Sequence, residues 1–120
     1  MKIAIPVDDD KGMNGLLADH FGRASKFAIY DDASKKISVI DNVGQHFGGP
    51  KPTPVLLKDS QVNVLVCKGL GRKAIAMFEE LDIGVYITTE SIVQQTLDSY
   101  LSGKLPKATE TDGCAGHEHH

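Results

Sequence analysis

Hydrophobic and polar positions occur in short blocks along this chain, and the blocks predict its secondary structure. Apolar runs of about four to six residues, bounded by polar or glycine-rich stretches, are typical of strands. They predict five strands, over residues 2–7, 26–30, 36–40, 62–67 and 85–88. Apolar residues at helical spacing predict helices over residues 72–81 and 92–101, and a short helix is predicted over residues 55–59.

The order of these elements predicts the topology of the sheet. Residues 31–35 are mostly polar and suit a hairpin turn, so the strands on either side should be antiparallel. Strand–helix–strand connections are almost always parallel and right-handed. We therefore predict an α/β fold with a mixed five-stranded sheet, in which the three N-terminal strands are antiparallel and helices cover both faces.

This topology also predicts where a ligand would bind. If the first strand lies beside the fourth, the connections on its two sides run in opposite directions along the sheet. Open sheets bind ligands outside the carboxyl ends of their strands at such a switch point. Asp8, the loop that runs to His20, and residues 67–71 would meet there.

The composition limits the classes of function. The chain has 120 residues, of which 41% are apolar, so it can bury a core as one domain. Its two cysteines cannot form a disulfide scaffold, and its net charge of -3 disfavours nucleic acid as a partner. The polar composition from residue 104 predicts a domain over residues 1–105 and a flexible tail, rich in Cys and His, over residues 106–120.

The expected location of the protein also follows from the sequence. No apolar stretch approaches the roughly 20 residues that a membrane span needs. The N-terminal residues 1–7 lack the charged and long apolar regions of a secretory signal. We therefore expect a cytoplasmic protein with no membrane partner.

Two short motifs near predicted strand ends could bind a ligand. His20, followed by Gly22 and Arg23, could reach a metal or an anion, or could be an ordinary surface histidine. The segment that contains Gly69, Gly71 and Arg72 matches Gly-x-Gly-x-x-Ala between a strand and a helix. Backbone amides favour an anion at such a position. The same glycines could equally form a tight turn that binds nothing.

The cysteines and the C-terminal histidines offer further metal ligands. Cys67 ends an apolar strand, where it could be a small core residue or a thiolate that faces a metal cluster. Cys114, His117 and His119 lie within six residues and could chelate a divalent metal. The tail could instead be solvated and without function, or derive in part from an expression tag.

Several of these segments, taken in order, resemble the dinitrogenase iron-molybdenum cofactor biosynthesis family. That family includes NifX, NifY, the C-terminal domain of NifB and small stand-alone proteins. The resemblance covers about residues 1–105 and rests on four motifs. They are Met1-Lys-Ile-Ala-Ile-Pro-Val-Asp8, His20-Phe-Gly-Arg23 followed by Phe27-Ala-Ile-Tyr30, Gly69-Leu-Gly71, and Leu81-Asp-Ile-Gly-Val85.

The resemblance implies a ribonuclease H-like fold and a non-enzymatic protein that binds, stores or carries clusters. The cargo would be iron-sulfur or iron-molybdenum-type clusters, exchanged with donor or acceptor proteins by a monomer or weak homo-oligomer. The resemblance also implies that His20 helps to hold the cluster. The glycine turn would donate backbone amides to the cluster, and Arg23, Arg72 or Lys73 would add positive charge.

Other functions remain open at this stage. The glycine turn could belong to a nucleotide-binding or other anion-binding regulatory module. Residues 8–10 are all aspartate and could serve a ribonuclease H-like nuclease, although two-metal chemistry needs further carboxylates at the same strand ends. A protein-interaction domain whose tail only tunes solubility is a third alternative.

Overall fold

A computed structural model describes residues 1–43 and 51–109 of the chain. The described residues form three α-helices, six strands and two single-turn 3₁₀ helices, Gly12–Asn14 and Phe21–Arg23. The strands and helices in chain order are β1 (Lys2–Val7), β2 (Lys26–Asp31), β3 (Lys36–Asp41), α1 (Thr53–Asp59), β4 (Val64–Cys67), α2 (Arg72–Glu80), β5 (Gly84–Ile87), α3 (Val93–Leu101) and β6 (Lys107–Ala108).

All six strands form one mixed sheet in the order β3-β2-β1-β4-β5-β6. β1 is antiparallel to β2 and parallel to β4. The connections on the two sides of β1 therefore run in opposite directions along the sheet. β4 and β5 are also parallel. The predicted hairpin and parallel crossovers are therefore confirmed, and β1 lies beside β4, which is the condition for the predicted switch point.

The predicted number of five strands is wrong, because β6 adds a sixth. β6 consists of Lys107 and Ala108, which pair antiparallel with Tyr86 and Val85 of β5. A strand of two residues, one of them a lysine, has no hydrophobic period to detect. Ala108 is nevertheless buried, so this short segment covers the edge of β5.

Helices cover both faces of the sheet, as predicted. One buried cluster contains Leu57 of α1 with Ile75 and Phe78 of α2, and the other contains Val93 and Leu97 of α3. Successive residues of a strand point to opposite faces. In β1, accordingly, Ala4 belongs to the first cluster and its two neighbours to the second.

Pro6 lies in β1, a strand with a neighbour on each side, although proline is unusual in such strands. The ladder between β1 and β4 involves only Ile3 and Ala4, so Pro6 lies beyond the residues that pair with β4. Its carbonyl accepts a hydrogen bond from the backbone N–H of Ala18, at 2.9 Å. The proline therefore sits where β1 turns toward the loop that carries His20.

No helix in the described part of the chain has the length and apolar character needed to cross a membrane.

Candidate functional site

A cavity of about 430 Å³ lies between the loop that follows β1 and the turn that follows β4, the two loops predicted to meet at the switch point. Asp8, which was also predicted there, is not part of the lining. Cavities that bind small molecules usually measure some 300–1,000 Å³, so this one is large enough for a ligand. Within the part of the chain that the structure describes, three segments line it. They contribute His20, Phe21 and Gly22, then Pro52, Thr53 and Pro54, and finally Gly69, Leu70, Gly71 and Ala74.

Four of the predicted site residues line this one cavity: His20, Gly22, Gly69 and Gly71. The two predicted cations, Arg23 and Arg72, flank lining residues in the chain, but they are not part of the lining. Cys114, His117 and His119 lie outside the described residues. The structure therefore brings together two motifs that are 49 residues apart in the sequence.

His20 is held at the cavity by its neighbour Phe21. Phe21 is buried and its ring lies 5.8 Å from that of Phe27 and 5.4 Å from that of Phe78, the latter edge to face. His20 itself is solvent-exposed and comes just before the 3₁₀ helix Phe21–Arg23. The His-Phe pair thus presents an imidazole at the cavity on an aromatic anchor in the core.

Gly22 and Gly71 have no structural need to be glycine. Neither has a positive φ, and a Cβ atom built on either would have no atom of the other described residues within 4 Å, apart from its chain neighbours. Their missing side chains leave open space beside the backbone that lines the cavity. This arrangement is the one expected where a ligand approaches the main chain closely.

The N-terminus of α2 is another part of this lining. Gly71 precedes the helix and has no side chain that could cap it, and the first turn of the helix contains no acidic residue. The first amides of a helix lack intrahelical partners and carry partial positive charge. An anion in the cavity would therefore meet a favourable field.

Two aspartates after β1 shape the loop that leads to His20. Asp8 accepts hydrogen bonds from the backbone N–H and the hydroxyl of Ser25, at 2.9 and 3.2 Å. Asp9 accepts the backbone N–H groups of Lys11 and Leu16, at 3.3 and 3.2 Å. Within residues 1–43 and 51–109, no three His, Cys, Asp or Glu side chains form a metal-binding group. Two of the three carboxylates that the nuclease hypothesis uses, those of Asp8 and Asp9, are thus engaged with the loop.

Asn42 links two of the segments that line the cavity. Its side-chain amide donates a 2.9 Å hydrogen bond to the carbonyl of Ala24, just after the His20 segment. Its side-chain oxygen accepts a weaker bond, 3.4 Å long, from the hydroxyl of Thr53 at the start of α1. Asn42 is only 4% exposed, so this bridge is a buried part of the framework.

An ion pair joins the segment that contains His20 to the segment that contains Gly69. The ammonium of Lys68 lies 3.2 Å from a carboxylate oxygen of Asp19. Each residue directly precedes a lining residue, His20 in one case and Gly69 in the other. Lys68 falls within the range 67–71 that the sequence predicts at this edge, but no role was predicted for it. Asn42 and Thr53 were not predicted, because no local pattern pairs residues that are distant in the chain.

Cys67 is placed in the core below the glycine turn. It is 1% exposed, and burial raises the pKa of its thiol to about 12, although a hydrogen bond from the backbone of Gly69 acts in the opposite direction. A protonated, buried thiol is a poor metal ligand. Cys67 therefore packs in the core cluster and is not among the described residues that line the cavity.

The fold and the cavity define a small α/β protein with a ligand-sized cavity at the switch point of a mixed sheet. The chain belongs to the dinitrogenase iron-molybdenum cofactor family, whose sequence pattern matches residues 1–103. The family resemblance noted from the sequence is thereby confirmed.

Individual relatives agree with this assignment. An uncharacterized protein of Methanocaldococcus jannaschii is 33% identical over 113 residues, which cover 89% of this chain and 91% of the relative. The apo form of the orange protein from Desulfovibrio gigas is 27% identical, with a TM-score of 0.77, over 89% of this chain and 92% of that one. A Thermotoga protein, proposed to be a NifB protein and solved by NMR, is 26% identical with a TM-score of 0.73, over 99% of this chain and 97% of its own.

Proposed function

We propose that this protein binds and carries a metal–sulfur cluster in the cavity and catalyses no reaction itself. The cargo would be an iron-sulfur or iron-molybdenum-type cluster or its precursor. The observation that carries the proposal is the position of His20. Of the ten described residues that line the cavity, it alone has an imidazole, carboxylate or thiol that can ligate a metal.

The composition of the lining supports a particular mode of binding. A cluster enclosed by the protein needs several side-chain ligands, usually cysteines. His20 offers one such ligand. Gly22 and Gly71 leave space beside the backbone, and the N-terminus of α2 favours a negatively charged ligand. This set suits a preformed anionic cluster that keeps most of its own sulfide ligands and accepts hydrogen bonds from the protein.

The C-terminal segment extends the proposal. Cys114, His117 and His119 combine soft and borderline ligands within six residues, and we assign to them either a divalent metal or additional contacts to the cargo. This assignment rests on the sequence alone. It makes the tail a second, separable element of metal binding.

The remaining expectations belong to the same proposal. The partners would be proteins that donate the cluster or receive it, and the protein would act in the cytoplasm as a monomer or weak homo-oligomer. A ribonuclease H-like classification of the fold is supported by the antiparallel N-terminal strands followed by parallel crossovers.

Anaerobic reconstitution with iron and sulfide tests the function directly. The wild-type protein should acquire a cluster with visible charge-transfer absorption that stays with the protein during gel filtration. His20→Ala should lower the retained iron and sulfide by about tenfold or more, since it removes the side-chain ligand at the cavity. Gln94→Ala, at an exposed position of α3 on the other face of the sheet, is the control and should load like wild type.

Two further variants assign the other proposed ligands. Cys67→Ala should retain the cluster, because the thiol is buried; a loss of loading would restore Cys67 as a ligand. A chain that ends at Thr109 measures the contribution of the tail. If wild type acquires no cluster, the function is refuted, and if the double variant of His20 and Cys67 loads fully, the site is wrong.

A nucleotide-binding or other anion-binding regulatory module is the second candidate function. The uncapped N-terminus of α2 favours it, because phosphate groups bind at such positions. Calorimetric titration with a small panel of nucleotides separates the two functions. Micromolar binding of a nucleotide that is unaffected by His20→Ala would favour this second candidate.

A further inference from the structure

Lys68 and Asp19 hold two sides of the cavity together by an exposed ion pair. Lys68 belongs to the turn between β4 and α2, and Asp19 to the loop between β1 and β2. The pair connects elements 49 residues apart, and its side chains are 29% and 78% exposed, respectively. An ion pair in such contact with water is weak, so its partners can separate at little cost.

The position of Lys68 gives it a second possible partner. The next residue, Gly69, lines the cavity, and the ammonium sits on a flexible four-carbon stem. Leu70, Phe21 and Ala74 give the lining apolar surface. An anionic ligand beside this apolar surface would be screened less by water than the exposed carboxylate of Asp19 is. It would therefore attract the ammonium of Lys68 more strongly.

We propose that Lys68 binds the cargo and exchanges partners when the cavity is filled: it pairs with Asp19 in the free protein and with the anionic cluster in the loaded one. This inference rests on the proposed function and adds a residue and a charge requirement to it. Asp19 acts as a competitor that occupies the lysine until cargo arrives. When Asp19 is released, the segment that contains His20 is no longer held by the ion pair at its start. It is still held at its end, where the side chain of Asn42 donates a hydrogen bond to the carbonyl of Ala24.

The test measures how fast the reconstituted protein loses its cluster to an iron chelator, with four variants. Lys68→Gln should accelerate the loss by about tenfold, as expected when a charge-assisted contact is removed. Lys68→Arg keeps the positive charge and should stay within about twofold of wild type. Asp19→Asn should slow the loss by about two- to fivefold, because no carboxylate competes for the lysine.

The double variant distinguishes partner exchange from a general effect of charge. If Lys68 exchanges partners, Asp19→Asn has no effect once Lys68 is glutamine, and the double variant behaves like Lys68→Gln alone. Equal effects of Asp19→Asn in both backgrounds would overturn the exchange, because two independent charges give additive effects. Unchanged cluster loss in Lys68→Gln would remove Lys68 from the site altogether.

A second ion pair provides the matched control. The Nζ atom of Lys35 lies 3.4 Å from Oδ1 of Asp32 in the turn between β2 and β3. This turn is near the start of β1, at the end of the sheet opposite to the cavity. Lys35→Gln should lose the cluster at the wild-type rate, and all variants should unfold at similar urea concentrations. If wild type loads and His20→Ala does not, but Lys68→Gln behaves like wild type, this inference fails and the proposed function stands. If wild type does not load, both fail.

Discussion

Gly22 lines the cavity at a position where the fold itself does not require a glycine. It lies in the 3₁₀ helix Phe21–Arg23, it has no positive φ, and no atom lies within 4 Å of the place where a Cβ would be. Gly12, by contrast, has a φ of 58°, a conformation that disfavours any side chain. The two glycines therefore predict opposite effects of the same substitution.

Gly22→Ala should stabilise the unloaded protein and weaken its binding of the cluster. Alanine reduces the entropy of the unfolded chain, which raises the free energy of unfolding by about 0.4–1 kcal/mol. The added methyl group enters the cavity, so the retained iron and sulfide should fall. Urea unfolding of the unloaded protein and anaerobic reconstitution measure the two effects.

Gly12→Ala is the control for this pair of measurements. It should lower the free energy of unfolding by about 1–2 kcal/mol, because alanine is strained at positive φ. It lies outside the lining of the cavity, so its folded fraction should load normally. A Gly22→Ala protein that is destabilised, or that loads like wild type, would contradict the view that this glycine serves the ligand.

At the scale of elements, the cavity is built from segments that have little regular structure of their own. The segment with His20 is a single 3₁₀ turn, and α1 begins directly at the lining residue Thr53. Each is fixed by contacts outside itself: Phe21 packs on the rings of Phe27 and Phe78, and Asn42 bridges to Ala24 and Thr53. The rigidity of the site therefore depends on the core and on one buried amide.

Asn42→Ala should lower the free energy of unfolding by about 1–3 kcal/mol. The substitution leaves the carbonyl of Ala24 without the side-chain hydrogen bond that it now accepts in a buried site. Thr53→Val is a milder comparison, because the hydrogen bond from Thr53 to Asn42 is long at 3.4 Å, and it should cost less. Equal losses in both variants, measured by urea unfolding, would show that the bridge does not depend chiefly on Ala24.

The same elements show how much of the site could be predicted from sequence. The glycines at 69 and 71 were predicted because they closely follow a strand that the hydrophobic pattern reveals, and His20 because it lies in a glycine-bearing loop between two such strands. The helical face of α2 likewise appears in the spacing of its apolar residues. Asp19 and Lys68 could not be paired, because their contact depends on the packing of loops, which a one-dimensional pattern does not describe.

At the scale of the whole molecule, the sheet is open at its two edges, which are protected differently. β3 is a six-residue edge strand that begins with Lys36 and ends with Asp41, and charged residues at an edge discourage pairing with other chains. At the opposite edge, β6 pairs with β5, and the backbone N–H of Ile87 donates to the carbonyl of Pro106 at 3.1 Å. The order of the inner strands was predictable from hydrophobic runs, whereas β6 depends on a pairing partner that only the folded sheet supplies.

Two shortened chains test whether the stable domain ends at residue 105 or includes β6. A chain that ends at Leu105 loses β6, the hydrogen bond from Ile87 to Pro106, and the buried Ala108. Two or three backbone hydrogen bonds at about 1 kcal/mol each predict that it unfolds with about 2–3 kcal/mol less free energy than a chain that ends at Thr109. The chain that ends at Thr109 should match the full-length protein to within about 0.5 kcal/mol, because the residues it lacks are almost entirely polar or small. Urea unfolding of the three chains decides the boundary: equal stability of all three would place it at residue 105, and a loss confined to the shortest chain makes β6 an integral strand of the domain.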